Sequence, residues 1–266
     1  MPLSGRSLLP YRRSIMAYMA TSTADIAAMP RGGPRASCLD RLLQTDRLEY
    51  LDRDDVDQRV KRSVVRALEW TGDMFGNHEK FAAISLDLLA EVPDPRILEL
   101  GAGHGSVSRR LLANHPTAHV TVTDVDPAAV AAMADGELGD HPRAVVRAMD
   151  ATDIDADDGS FDLALFALSF HHLSPAQAAA VFAEGTRVAR TLLIIDLPRP
   201  PAPLHLLRLA TMLPLAPLVP FVHDGVISSL RCYSPSALRA LAAHAGVALE
   251  LRGGLTTPQI AIARRA

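Results

Sequence analysis

The residues best suited to chemistry stand in one run, Ile97-Leu98-Glu99-Leu100-Gly101-Ala102-Gly103-His104-Gly105. A short apolar stretch ends beside an acidic residue and enters a glycine-rich turn. Val107, Leu111 and Leu112 continue the chain at helical spacing. Glycine admits positive φ and lets the backbone come close to a ligand. The start of the following helix leaves N–H groups without intrahelical partners. A turn that cradles a pyrophosphate prefers G-x-G-x-x-G. Here the spacing is G-x-G-x-G, with Glu99 two residues before the first glycine. A carboxylate so near the turn disfavours a pyrophosphate and suits a ligand with a positive end, such as an amino group or a sulfonium.

Two more acidic residues follow at strand ends. Asp124 closes Val120-Thr121-Val122-Thr123, 19 residues after Gly105, where a carboxylate can accept from both hydroxyls of a ribose. Asp126-Pro127 is the better helix cap, which leaves Asp124, with Val125 beside it, for the ligand. Asp150 and Ala151 follow Ala148-Met149 and suit a purine, with Asp150 accepting from an exocyclic amine and Met149 packing on the ring. The acidic loop of Asp153, Asp155, Asp157 and Asp158 lacks calcium-loop spacing and reads as a solvated loop. His171 and His172 follow the fourth apolar run, with His172 the stronger candidate for a base or an orienting residue. His223-Asp224 is a second candidate pair. Neither pair has a metal-ligand spacing, so no metal is expected.

Positioning these residues requires strands alternating with helices. Apolar runs at 96–100, 119–123, 144–147, 161–167 and 191–197 are separated by helical patterns near 104–114, 127–135 and 175–189. This alternation predicts βαβ units, a parallel sheet and right-handed crossovers. Ser234-Pro235 starts a later helix that Gly246 ends, and 247–251 and 259–263 form a closing strand pair around Gly253-Gly254. Upstream, the mixed charges of 37–62 read as a solvated helical face. A helix through Val60, Val64 and Leu68 is expected to stop at Gly72, and a second to start near His78. Residues 1–36, broken by Pro and Gly and rich in Arg, read as a disordered tail. Residues 199–232 are rich in Leu and Pro.

Taken together, ILELGAGHGSVSRRL, VTVTDVDPAAV, RAMDATDI, GSFDLALFALSFHHL and RTLLIIDLP resemble the class I S-adenosylmethionine-dependent methyltransferases over residues 96–198. The resemblance implies an α/β, doubly wound, Rossmann-like seven-stranded sheet, mostly parallel with an antiparallel last strand. It implies that Glu99, Gly101, Ala102, Gly103 and Gly105 surround the methionine part of S-adenosyl-L-methionine. Asp124 and Val125 would hold the ribose and Asp150 and Ala151 the adenine, with Ala167 and Leu168 near the sulfonium. The chain then divides into a tail of 1–36, an N-terminal helical cap of 37–92 and a cofactor-binding domain of 93–266. The insertion at 199–232 serves as a lid over an apolar substrate or, equally, as a homodimer contact.

Composition bounds the rest. The chain has 266 residues and a formal net charge of −3, so no basic field argues for nucleic acid. No apolar run is long enough to cross a membrane. Two isolated cysteines, Cys38 and Cys232, fit a reducing cytoplasm. The expected function is methyl transfer to a small, apolar molecule. The alternatives are a non-catalytic cofactor-binding regulator on the same fold and a nicotinamide-dependent oxidoreductase, against which the glycine spacing and Glu99 argue.

Overall fold

The computed structural model describes residues 26–254 and 257–266. From Arg96 onward the chain alternates strand and helix as the apolar runs require. The sequence is β1 (Arg96–Leu100), β2 (His119–Asp124), β3 (Ala144–Ala148), β4 (Phe161–Ala167) and β5 (Ala189–Asp196), followed by β6 (Val247–Gly253) and β7 (Gln259–Arg265). Spatially the order is β3-β2-β1-β4-β5-β7-β6. The first five strands are parallel, and β7 runs antiparallel to both β5 and β6. The doubly wound, seven-stranded expectation holds, with the antiparallel strand inserted between β5 and β6.

The two-residue side-chain period divides the core between the sheet faces. Leu98 and Leu100 of β1, with Leu192 and Ile194 of β5, pack on one side with Phe170, Phe182, Leu238 and Leu241. Ile97, Leu193 and Ile195 pack on the other with Phe81, Leu111 and Leu112. Strands covered on both faces must be apolar nearly throughout, which is why β4 and β5 read as unbroken runs.

The helices on these faces begin at strong caps. Asp126 accepts from the Ala128 N–H before Pro127–Ala134. Ser174 and Gln177 form a reciprocal capping box before Pro175–Val188. Ser234 accepts from the Ala237 N–H before Pro235–His244. In each case proline at the first position costs no hydrogen bond, and each cap contributes about 1 kcal/mol.

The strand order reverses at β1. The chain leaves β1 for β2 and β3 on one side, then returns to β4 on the other. Such a point opens a crevice at the carboxyl ends of the strands. The ends of β1, β2, β3, β4 and β5 therefore carry Leu100, Asp124, Ala148, Ala167 and Asp196 to one edge of the sheet.

Three upstream expectations need correction. Helix Gln58–Met74 passes through Gly72. That glycine admits the His78 ring, which a Cβ would meet at 2.3 Å, and the turn comes at Gly76 with φ +60°. The charged stretch 37–62 is not one helical face: Cys38–Leu42 is a short helix, and 43–57 are turns and extended chain. The tail boundary at 36 is too late. Ile26 and Met29 join the core, and Ser234 donates its N–H to the Arg31 carbonyl and its Oγ to that of Gly32. The remainder of the expected tail, 1–25, lies outside the described residues. The insertion forms two helices, Ala202–Met212 and Pro220–Arg231, and the second packs on Gln58–Met74.

Candidate active site

All three glycines of the turn are left-handed, with φ of +60° at Gly101, +57° at Gly103 and +69° at Gly105. Their surroundings differ. A Cβ on Gly101 would meet Phe166 Cε2 at 2.5 Å, and one on Gly105 would meet Leu138 Cδ1 at 2.3 Å. At Gly103 no atom of the described residues lies within 4 Å. The outer glycines thus let the turn pack tightly, while the middle one faces open space. Ala102 donates its N–H to the Thr123 carbonyl, and Ser169 donates its Oγ to the Gly101 carbonyl at 3.0 Å. These bonds fix the turn between the ends of β2 and β4.

Glu99 lies beneath this turn with 2% exposure. Its place on β1 turns it to the Ile97 face, where Ser108, in the first turn of helix Ser106–Asn114, donates Oγ to its carboxyl. Burial pushes its pKa up to about 7, and the Ser108 hydrogen bonds only partly oppose that. Glu99 therefore ties strand to helix and does not itself face the open side.

Asp124 does face it. Oδ2 accepts the Gly103 N–H at 2.8 Å and Oδ1 accepts the Asp126 N–H at 2.9 Å. Each oxygen retains a second lone pair for a ligand hydroxyl. Val125 is exposed. Met149 is buried in the core, so it backs this edge from within. Asp150 holds its own turn, with Oδ1 accepting from the Thr152 N–H and Oγ1 at 2.8 and 2.7 Å. Ala151 is half-buried beside it. Ala167 and Leu168 are also half-buried, and Leu168 is a non-glycine residue with left-handed φ, +56°. A bulky residue in that conformation costs roughly 1–3 kcal/mol, so its surroundings must enforce it. Its N–H donates to the Ile195 carbonyl at 2.8 Å. The expected cofactor positions thus gather on one edge of the sheet, with Glu99 underneath.

His171 and His172 lie in the 3-10 turn Phe170–His172 directly after β4. His171 is buried, with Nδ1 2.8 Å from Asp196 Oδ1 and Nε2 3.4 Å from Glu49 Oε1. Burial alone would lower its pKa. The charge and hydrogen bond of Asp196, joined by Glu49, overcome that and lift it to about 9. His171 is thus held in the core between two carboxylates. The His172 side chain is 30% exposed; Nδ1 lies 3.0 Å from Asp52 Oδ2 and Nε2 3.9 Å from Glu49 Oε2. Burial opposes ionisation of Glu49 and Asp52. His171 and His172 prevail at Glu49, and His172 with Arg231 prevails at Asp52, so both carboxyls sit below their ordinary pKa.

Two arginines complete this mouth, of which Arg31 gave no recognisable signal in the sequence. Arg31 donates Nη1 to the carbonyls of His171 and Arg231, at 2.9 and 2.6 Å, and stacks over Tyr233. Arg231 donates Nη2 to the His172 carbonyl at 2.5 Å and approaches Asp52 at 3.7 Å. His223-Asp224 does not join the mouth as a second catalytic pair. Asp224 accepts the Tyr50 N–H at 2.8 Å, and the Tyr50 ring stacks on His223, so this pair clamps the N-terminal segment. The acidic loop forms ion pairs, with Asp158 meeting Arg187 and Arg265.

Residues 97–191 match a family model described as a methyltransferase domain. A malonyl-[acyl-carrier protein] O-methyltransferase of Geobacter sulfurreducens is 36% identical over 102 residues, 38% of this chain and 37% of that one. The match thus spans little more than a third of the length of that curated relative. Among solved structures, the plantazolicin methyltransferase BpumL, in complex with a monoazolic desmethylPZN analog and SAH, has a TM-score of 0.60 at 12% identity, covering 85% of this chain and 96% of its own. Magnesium protoporphyrin IX methyltransferase of Synechocystis, with bound SAH, has a TM-score of 0.54 at 17% identity, covering 82% and 91%. The [4+2]-cyclase SpnF has a TM-score of 0.54 at 15% identity, covering 70% and 80%. Residues 97–191 thus match a methyltransferase domain, and the described chain has the fold of the class I S-adenosylmethionine-dependent methyltransferases.

Proposed function

We propose that this protein transfers a methyl group from S-adenosyl-L-methionine to a small, apolar molecule. The observation that carries the reading is the open face of Gly103, tied to the Asp124 carboxylate at the point where the strand order reverses. A side chain at Gly103 would fill the space a ligand needs. The donor set fits the cofactor: the glycine turn for the methionine part, Asp124 and Val125 for the ribose, Asp150 and Ala151 for the adenine. Ala167 and Leu168 stand nearest the acceptor side, and Glu99 holds the turn from below.

When bound, this cofactor supplies a methyl group on a sulfonium, whose departure leaves a neutral thioether and needs no acid. The chain's work is then to align the nucleophile and exclude water. A hydroxyl, amine or carbon acid also needs a base. His172, held by Asp52 at its Nδ1, is the group to take the acceptor's proton, and His171 with Asp196 fixes the turn that presents it. The curated relative is an O-methyltransferase, which favours an oxygen nucleophile. Leu204, Leu207 and Leu218 of the insertion and Trp70 and Phe75 of the N-terminal helices are all exposed, which favours an apolar acceptor. No helix among the described residues is long and apolar enough to cross a membrane. The exposed free Cys38 and buried free Cys232 favour a reducing cytoplasm.

The cyclase on the same fold favours keeping a second reading, in which the cofactor site serves no methyl transfer. Calorimetric titration with S-adenosylhomocysteine, with NADH alongside, tests the cofactor. Binding of the first alone is expected, and binding of NADH alone would overturn the reading. Labelled methyl transfer to an acceptor panel then separates enzyme from regulator.

A further inference from the structure

We propose that His171, His172 and Glu49 form a binding site for a divalent transition-metal ion of zinc's class at the mouth of the acceptor side. The two imidazoles stand side by side, their centroids 4.4 Å apart and their planes 34° apart. Their nitrogens are sorted by role. Each Nδ1 makes a close contact with a carboxylate of its own, Asp196 at 2.8 Å for His171 and Asp52 at 3.0 Å for His172. Each Nε2 turns instead to one shared carboxylate, Glu49, at 3.4 and 3.9 Å. One ligand atom from each of the three residues lies within 4.8 Å of the other two.

The spacing on the Nε2 side is long for a hydrogen bond, whose usual separation is about 2.9 Å. It is close to the edge of a coordination tetrahedron. Zinc–nitrogen bonds of about 2.0–2.1 Å at tetrahedral angles place neighbouring ligand atoms about 3.4 Å apart. The outer contacts are those that metal-binding histidines and carboxylates ordinarily have, each ligand oriented by a partner behind it. Asp196 is itself fixed by the Leu197 N–H at 2.7 Å, and Glu49 accepts Ser228 Oγ at 2.6 Å. Two nitrogens and a carboxylate suit zinc and its neighbours better than magnesium or calcium. Glu49 and His171 are buried, while the partly exposed His172 ring provides the way in and leaves a side open to a further ligand.

The competing group of His171, Asp196 and Cys232 is less suited. It would require the His171 Nδ1 contact with Asp196 to break, and the Cys232 thiol, fully buried, already donates to the Ser228 carbonyl. An ion at this site would be held by Nε2 of His171. It also engages the His172 lone pair, so that an oxygen acceptor would be activated by the ion rather than by the free imidazole. The site goes beyond the methyl-transfer reading and stands whether or not that reading does.

The test uses the full chain, stripped with a chelator and titrated with Zn2+ by calorimetry near neutral pH, with Mg2+ in parallel. A single saturable Zn2+ equivalent is expected, with Mg2+ much weaker. His172→Ala, at a partly exposed position, should abolish saturable binding. Asp52→Asn, which removes only the partner behind a ligand, should weaken it by about 10–100-fold. His115→Ala, away from the cluster, should leave it unchanged. No saturable binding in the wild-type chain, or binding unaffected by His172→Ala and Asp52→Asn, would overturn the proposal. Titrating the same samples with S-adenosylhomocysteine keeps a failed cofactor site distinct from a failed metal site.

Discussion

The glycine turn and the histidine mouth share one edge of the sheet but are assembled in opposite ways. The turn closes over short separations: Gly103 meets Asp124 across 21 residues, and Thr123 meets Glu99 across 24. The mouth closes over long ones: His172 meets Asp52 across 120 residues, and Arg31 meets His171 across 140. A locally closed site rests on the core strands. A site closed over long separations depends on the docking of the whole N-terminal segment. Substitutions in the two regions should therefore separate cofactor affinity from acceptor chemistry.

The largest effect is expected at Gly101→Val. Its side chain enters the Phe166 ring while a β-branched residue is forced to a left-handed φ. Overpacking and backbone strain together cost about 4 kcal/mol. Urea denaturation should show this loss, and a change under about 1 kcal/mol would mean the turn relaxes freely.

Next comes the buried Glu99. Its folded pKa is raised from 4.5 to about 7. The sign follows: the stability it contributes is fully present below 4.5 and is lost as pH rises through about 7. A shift of this size corresponds to about 3 kcal/mol. Wild type should therefore lose about that much stability relative to Glu99→Gln between about pH 5 and about pH 8. Parallel stability curves would contradict a buried, protonatable carboxyl under the turn.

His172→Ala sharpens the contrast from the other side. Turnover should fall about a hundredfold, equivalent to about 2.7 kcal/mol in the barrier. The affinity for S-adenosylhomocysteine should stay within about twofold of wild type, since the cofactor site closes without this residue. Equal losses in both would tie the two regions together. Arg31→Ala should be milder, costing about 2 kcal/mol by leaving buried carbonyls unpaired. It should raise exchange of the Ser234 amide, which donates to the Arg31 carbonyl, and leave cofactor affinity unchanged.

The same division decides what the sequence disclosed. β1, with β4 and most of β5, stood out because strands covered on both faces must be apolar, and the caps at Ser174, Ser234 and Asp126 are local patterns. The positions around the glycine turn were legible for the same reason. Glu99 was legible as a residue of the turn, but its direction was not: strand parity sends it beneath, to Ser108. The mouth offered no local pattern. Glu49 and Asp52 sit in a charge-dense segment that resembles any solvated surface, and only the fold brings them to His171 and His172. Arg31 lies among prolines and glycines that resemble a loose tail. Gly72 could equally end a helix or admit a neighbour, and the His78 ring decided it.

The open face at Gly103 is where we propose that the cofactor binds. The most direct test is calorimetric titration of wild type and Gly103→Arg with S-adenosylhomocysteine, with thermal melts of both. Micromolar binding by wild type and none by the variant are expected, with the variant still folded but melting up to about 10 degrees lower, because its side chain enters open space while its left-handed φ strains a non-glycine residue. Undiminished binding by a folded Gly103→Arg would contradict the proposed site.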